Sequence, residues 1–263
     1  MGQISKEAML GFRDDLRKAR GQAYANSEGF QSILFAVERL GSALIGETRT
    51  LYSYKGEISK LVEISAIAYH IPSKPEFRFL FTPFCILYKL VSESRNDALH
   101  QGAYARHLTS HCVELSLILE DALTMTIDAE TVSDFMIKDI VYAELWHPLA
   151  YIRQIMLANS FSYLPFLFSK NKSKDDEQFY LISDQDLAKF LRGAGSKRNS
   201  RLGMTLETAI DNNHINLSEA KTILHSACLE SIYQEPDSKF FVVVRDLTNI
   251  NSSVGLITPF DIL

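Results

Sequence analysis

From residue 129 to residue 263 the chain writes one pattern twice, and repetition at that scale restricts the fold more than any single motif does. In the first copy residues 139–142 read as extended, 148–158 as a helix with Pro148 at its first turn, and 163–168 and 179–182 as strands. In the second copy 217–228 reads as a helix, 240–244 as a buried strand, 254–257 as another strand and 259–263 as the start of a short helix. The copies are roughly 60 residues each, which sets repeat one at about 129–195 and repeat two at about 196–263. Strands alternating with helices make this half α/β.

Residues 1–128 follow different rules. Core-type residues recur at helical spacing in Phe30, Ile33, Leu34, Val37, Leu40 and Leu44, then in Ile58, Leu61, Val62, Ile64, Ser65 and Ala68. A third run, Leu108, Cys112, Leu115, Leu117, Ile118 and Leu119, describes a helix ending near Asp121 or shortly after. Pro72, Pro75 and Pro83 cluster between these runs and mark a loop. The expectation is an all-α bundle of about four or five helices.

Composition sets the outer limits. A chain of 263 residues, 46% hydrophobic and 22% charged, can bury a core, which excludes disorder and fibre. Its 27 Lys and Arg against 32 Asp and Glu give a formal net charge of −5, so any polyanion must be held by a local patch. Cys85, Cys112 and Cys228 are far apart and in no C-x-x-C spacing, which indicates neither a disulfide framework nor a zinc knuckle and leads us to expect a cytoplasmic protein. The opening Met1-Gly2-Gln3-Ile4-Ser5-Lys6 lacks the apolar run that secretion needs and places its serine one position early for myristoylation. The most apolar stretch, 77–91, carries Arg78, Pro83 and Lys89, so it reads as a core helix or its approach and no membrane span is expected.

Each copy ends a strand with a hydroxyl residue and, three places later, an aspartate: Ser183 with Asp186, and Thr258 with Asp261. A strand that opens into a helix offers backbone N–H groups suited to a phosphate, and an ionised carboxylate accepts from both hydroxyls of a ribose. The same spacing also describes two helix caps, with the aspartates favouring the first turn. Between the copies, residues 192–201 combine Gly193 and Gly195 with Arg192, Lys197, Arg198 and Arg201. That segment reads as a solvated linker, with a polyphosphate-wrapping loop as the alternative.

The run 132–140, then Pro148-Leu149-Ala150, Met156, Tyr163-Leu164-Pro165-Phe166 and the Ser183/Asp186 ending, resembles a CBS domain, and the closing run 254–263 is similar to that family's final motif. The resemblance covers roughly residues 130–263 and implies a tandem CBS pair that binds an adenosine-type nucleotide such as AMP, ADP or ATP between the copies. It implies that Asp186 and Asp261 hold ribose and that Ser183 and Thr258 touch phosphate. The backbone around Ile140, Val141 and 163–166, including Leu164 and Phe166, would meet the base. The second copy departs from the pattern, with no proline before Phe240 to match Pro165, so one of the two sites is open to being empty.

In the helical half, Arg95 and Asn96 followed by His100, just before a long helix, resemble the Arg-x4-His motif of the HEPN superfamily. That resemblance implies a homodimeric, metal-independent endoribonuclease, requiring no cofactor for cleavage, with RNA as substrate and two copies of the motif across one cleft. The chemistry stands on its own terms: an imidazole titrates near neutrality and a guanidinium keeps its charge beside a crowded phosphorane. On one continuous helix Arg95 and His100 would point ~140° apart, whereas Asn96 and His100 would share a face. Arg95 pairing with Glu93 or Asp97, and His100 packed on a half-buried face, is the plainer reading of the same residues. His107 and His111 have a zinc-type spacing but no third ligand, so no metal site is expected; Trp146 reads as core, with stacking on an adenine as the lesser alternative.

The resulting expectation is an α plus α/β chain: a HEPN-like helical bundle over 1–128 and a tandem CBS pair over 129–263. Its function would be RNA cleavage under nucleotide control, in a toxin, antiviral-defence or stress setting. The rival is a nucleotide-sensing adaptor whose helical half only dimerises or docks a partner. A nucleotidyl-modifying enzyme ranks below both, because no Gly-Ser and paired-aspartate constellation is present.

Overall fold

The computed structural model describes residues 4–25, 29–77, 79–98, 102–127, 130–138, 140–169, 177–193, 195–234, 240–249 and 252–263. The chain divides into two compact units, Met1–Ala129 and Glu130–Leu263.

The first unit is helical among its described residues: α1 (Lys6–Ala25), α2 (Phe30–Ile45), a 3-10 turn (Leu51–Tyr54), α3 (Lys55–Val62), α4 (Phe84–Ala98) and α5 (Gly102–Ile127). On α2 the expected stripe Phe30, Ile33, Leu34, Val37, Leu40 and Leu44 is buried throughout, as a three- and four-residue spacing requires. α5 is the axis of the unit and touches α1, α2, α3 and α4. It runs on to Ile127, beyond the end near Asp121 expected from the sequence, because Ala122, Leu123 and Ile127 continue its buried stripe. Gly41 lets α2 meet Tyr54, whose ring atoms would overlap any Cβ at that position. The phenol of Tyr54 then accepts from the Arg49 backbone N–H at 2.5 Å, and Tyr88 Oη donates to Leu51 O at 2.7 Å.

Two members of the expected helical runs fall outside the core. α3 stops at Val62, and Ile64 is exposed in the turns that follow, while Ser65 and Ala68 are buried there. Leu117 is exposed on α5. The proline-marked loop is a series of turns through Pro72 and Pro75, and Pro83 immediately precedes α4.

The second unit contains α6 (Val132–Phe135), α7 (Leu149–Asn159), β1 (Tyr163–Phe168), β2 (Gln178–Ser183), α8 (Asp184–Leu191), α9 (Gly195–Leu202), α10 (Leu206–Asp211), β3 (Ser218–Glu219), β4 (Lys221–Leu224), α11 (Glu230–Tyr233), β5 (Phe241–Val244), β6 (Ser253–Ile257) and α12 (Pro259–Ile262). Among the described residues the strands form two three-stranded sheets, ordered β1-β2-β3 and β4-β5-β6. β2 pairs antiparallel with both neighbours, whereas β5 pairs parallel with β4 and antiparallel with β6. At Gly255 a Cβ would collide with Met136 and with the Ile137 carbonyl, the residue through which β6 gains its extra bridge to Ile137.

The repeats exchange their leading segments. Val132 N–H donates to Ala227 O and Ser133 N–H to His225 O; correspondingly, Leu206 N–H donates to His147 O and Glu207 N–H to Leu145 O, all four at 2.9 Å. Thr131 bridges Cys228 as Thr205 bridges Pro148. Both threonines are N-caps, Thr131 of α6 in a capping box with Asp134 and Thr205 of α10 accepting from the Thr208 N–H. An approximate internal two-fold therefore relates the copies, and each is completed by the segment that leads into the other.

Local structure departs from expectation at several places in this unit. Residues 217–228 are β3, β4 and a turn, not a helix: Leu217, Ala220 and Ile223 have helical spacing, but Lys221–Leu224 enter the parallel ladder offered by β5 and the Ala220 N–H donates to Phe179 O. Within 139–142 the described residues 140–142 belong to no strand; the neighbouring Ala143 N–H donates to Pro165 O at 2.9 Å and the Tyr142 ring stacks on Phe179. The 192–201 segment, expected as a solvated linker, carries α9, none of whose described residues is buried. Trp146 is 68% exposed, because the neighbouring His147 takes the buried position and accepts from the Glu144 N–H at Nδ1, 3.0 Å away.

Candidate functional site

The two strand-to-helix junctions are built alike. β2 ends at Ser183, which has extended backbone (φ −93°, ψ 149°) and caps α8. Its Oγ accepts from the Asp186 N–H at 3.0 Å and donates to Asp186 Oδ2 at 2.6 Å. β6 ends before Thr258, also extended (φ −126°, ψ 161°), which caps α12. There Asp261 Oδ2 accepts from the Thr258 N–H and from Thr258 Oγ1, each at 2.8 Å. Hydroxyl and aspartate are thus brought into direct contact in both copies, with Asp261 only 6% exposed.

This geometry constrains the chemistry. A hydroxyl has one proton to give, and at both junctions it goes to the aspartate, so either side chain would donate to a phosphate only after turning that proton away. In the first turn of α8 the Asp184 N–H already serves Ser162 O at 2.9 Å and the Asp186 N–H serves Ser183. The carboxylates of Asp184 and Asp186 also lie in that turn and oppose an incoming anion. Asp186 Oδ1, by contrast, has weaker company, Asn216 Nδ2 at 3.4 Å and Lys189 Nζ at 3.8 Å. It is the acceptor that a vicinal diol would capture with least loss.

β1 lies against this junction. Tyr163 is opposite Ser183, Leu164 opposite Ile182 and Phe166 opposite Tyr180. Leu164 and Phe166 are fully buried, so only their backbone can meet a ligand. Ile140 is half-buried and Val141 exposed in the irregular segment before Ala143. The second copy contributes Phe240, whose ring is 4.9 Å from that of Tyr163, and Ser253 Oγ, 2.9 Å from Tyr142 Oη. Asn216 is the residue that sequence reasoning missed: it lies 30 positions from Asp186, and no local pattern announces its contact.

In the helical unit, Arg95 and Asn96 belong to the last turn of α4, and α5 starts at Gly102. His100 lies outside the described residues. A polar cluster lies elsewhere, on the α1–α5 contact. Arg20 binds Glu120 in bidentate fashion, both bonds 2.9 Å, while Ser116 Oγ donates to the same carboxylate at 2.9 Å and Arg17 stands 4.0 Å away. Ser65 Oγ donates to Asp121 on the next residue of α5. Among the described residues no group of three or more His, Cys, Asp or Glu gathers as a metal site, and no helix is long and apolar enough to cross a membrane.

Neither a family profile nor a curated protein matches this chain. Solved structures similar to it include CBS-domain proteins. A hemolysin-like protein containing a CBS domain, from Oenococcus oeni PSU, is 12% identical over 53% of this chain and 91% of its own, with a TM-score of 0.37. CbpB, in complex with c-di-AMP, is 20% identical over 50% of this chain and 81% of its own, with a TM-score of 0.35. A CBS-domain containing protein from Agrobacterium tumefaciens is 12% identical over 51% of this chain and 96% of its own, with a TM-score of 0.35.

Proposed function

We propose that the unit spanning Glu130–Leu263 is a CBS-type sensor of an adenosine-class nucleotide, and that it governs an RNA-cleaving, homodimeric helical unit of HEPN type. The observation that carries the sensing reading is the two-fold-related pair of junctions in which a capping hydroxyl is bonded to an aspartate three residues on. Asp186 would exchange its 3.4 Å contact with Asn216 for a ribose hydroxyl. The adenine would lie along the backbone of Ile140, Val141 and the Tyr163 end of β1.

In the nuclease half, Arg95 and Asn96, in the last turn of α4, and His100, which follows them in the sequence and lies outside the described residues, supply the chemistry. The 2′-hydroxyl loses its proton and attacks phosphorus, the bond to the 5′-oxygen breaks, and that oxygen takes up a proton. The products are a 2′,3′-cyclic phosphate and a 5′-hydroxyl. His100 moves the proton and Arg95 balances charge on the phosphorane. Nucleotide controls this step to the extent that it binds the active and inactive arrangements with different affinity.

A non-catalytic reading draws on one observation: the helical unit exposes Phe79 (83%), Leu80 (71%) and Ile86 (51%), surface suited to docking a partner. The two readings separate in one assay. Mixed RNA incubated in excess chelator, with and without adenosine nucleotides, is cleaved by the wild type to 5′-hydroxyl ends and left intact by Arg95→Ala and His100→Ala. Cleavage that survives both substitutions, or fails in the wild type under every condition, leaves the adaptor. Calorimetry with AMP and ATP tests the sensor: Asp186→Ala weakens binding about tenfold or more, the worth of a charge-assisted hydrogen bond, without lowering the helical circular dichroism signal.

A further inference from the structure

The proposed sensor uses none of the cations between the two repeats. In the structure Gly193 (φ +149°) and Gly195 (φ +58°) take backbone conformations that other residues rarely adopt, and they turn the chain from the end of α8 directly into α9. Ser196 and Ser200, and Lys197 and Arg201, then lie four apart on α9, and Lys197 and Ser200 three apart, the spacings that bring side chains together on one side of a helix. With Phe190, Met204 and His214 they line an open groove of about 560 Å³. That volume falls within the range of small-molecule sites.

Its lining has two characters. The rings of Phe190 and His214 stack, with centroids 4.8 Å apart and planes 18° from parallel, and the Arg201 guanidinium lies 5.1 Å from the Phe190 ring. Arg201 Nη1 donates to Phe190 O at 2.7 Å and Arg192 O at 2.6 Å, so its cation is fixed by carbonyls at the end of α8. None of the lining residues is a carboxylate, so Lys197 and Arg201 meet the groove without an acidic neighbour in its wall. The groove is therefore cationic and hydroxyl-bearing on the α9 side and aromatic on the other.

We propose that this groove is a second ligand site, for a phosphate monoester with a planar base: Lys197, Arg201 and the two serine hydroxyls take the phosphate, and the Phe190–His214 pair takes the base. It is separate from the junction site. Ser183 caps the N-terminus of α8 and Phe190 lies near its other end, roughly 10 Å along an α-helix of that length. The carboxylates of the Ser183 junction favour a sugar, whereas the α9 groove favours the anion.

The test follows heteronuclear magnetic resonance signals of Ser196, Ser200 and His214 in the full chain while AMP, ribose 5-phosphate and adenosine are added separately at low salt. AMP shifts these signals saturably and ribose 5-phosphate does so more weakly, while adenosine has little effect. Lys197→Gln weakens the AMP response about tenfold, as loss of a charged hydrogen bond does, and 0.5 M salt weakens it further. His214→Ala weakens AMP but not ribose 5-phosphate. Asp186→Ala leaves the response intact, so failure of the junction site and failure of this one are read separately. Saturable shifts unchanged by Lys197→Gln, or none in the wild type, overturn the proposal, as does single-stranded RNA shifting the same signals at far lower concentration than AMP.

Discussion

Cys112 is wholly buried on α5, and burial pushes its thiol up to about 12, because a thiolate there would be stripped of water. An unfolded thiol ionises from about 9, so between 9 and 12 the folded chain holds a proton that the unfolded chain has released. Stability is whole below that window and falls as pH rises through it. Urea titrations at pH 8 and 10 therefore give a lower midpoint at pH 10, and Cys112→Ala reduces the difference. At pH 8, iodoacetamide modifies the exposed Cys85 and Cys228 of the native protein and spares Cys112 until denaturant is added. The aspartates show what one residue's neighbours leave unstated: Asp186 and Asp261 have the same sequence spacing, but only coordinates reveal that Asn216 reaches the first.

At the scale of elements, α1 and α5 are locked by a buried ion pair within an apolar contact. Glu120 is 7% exposed and depends on Arg20 for two of its hydrogen bonds. Arg20→Ala leaves the desolvated Glu120 carboxylate with Ser116 Oγ and, farther off, Arg17 beside it, which costs about 3 kcal/mol. Glu120→Ala costs less, since the longer Arg20 side chain, at 17% exposure, can turn its head to water. The pair of denaturation midpoints checks that order, and equal losses would mean that the guanidinium is as tightly trapped as the carboxylate. The helices of this unit were legible because each buries one stripe: the α2 residues Phe30 to Leu44 needed only their spacing. β4 was not legible, because Lys221–Leu224 becomes a strand only through its pairing with Phe241–Val244, twenty residues away. α9 was hidden for a related reason: Arg198 donates to Leu191 O at 3.2 Å and Arg201 to Phe190 O and Arg192 O, an end-to-start packing with no apolar periodicity to betray it.

For the whole C-terminal unit, the exchange of leading segments makes the repeats one cooperative object. Residues 196–263 produced alone lack Leu145 and His147, the acceptors for Glu207 and Leu206, and lack Thr131 and Val132 beside the turn at 225–228. That fragment stays unfolded by circular dichroism and amide dispersion, whereas residues 130–263 fold with a single urea transition; an independently folded second repeat would contradict the interlock. By itself, the sequence determined the helical character of the first half, the duplication of the second and the hydroxyl–aspartate junctions, because each is written in residues a few positions apart. Tertiary structure alone decided which strand pairs with which, that Trp146 faces water while His147 is buried, and that α8, α9 and His214 enclose a groove. Those outcomes depend on hydrogen-bond partners and packing surfaces that arrive from distant parts of the chain, and local periodicity carries no record of them.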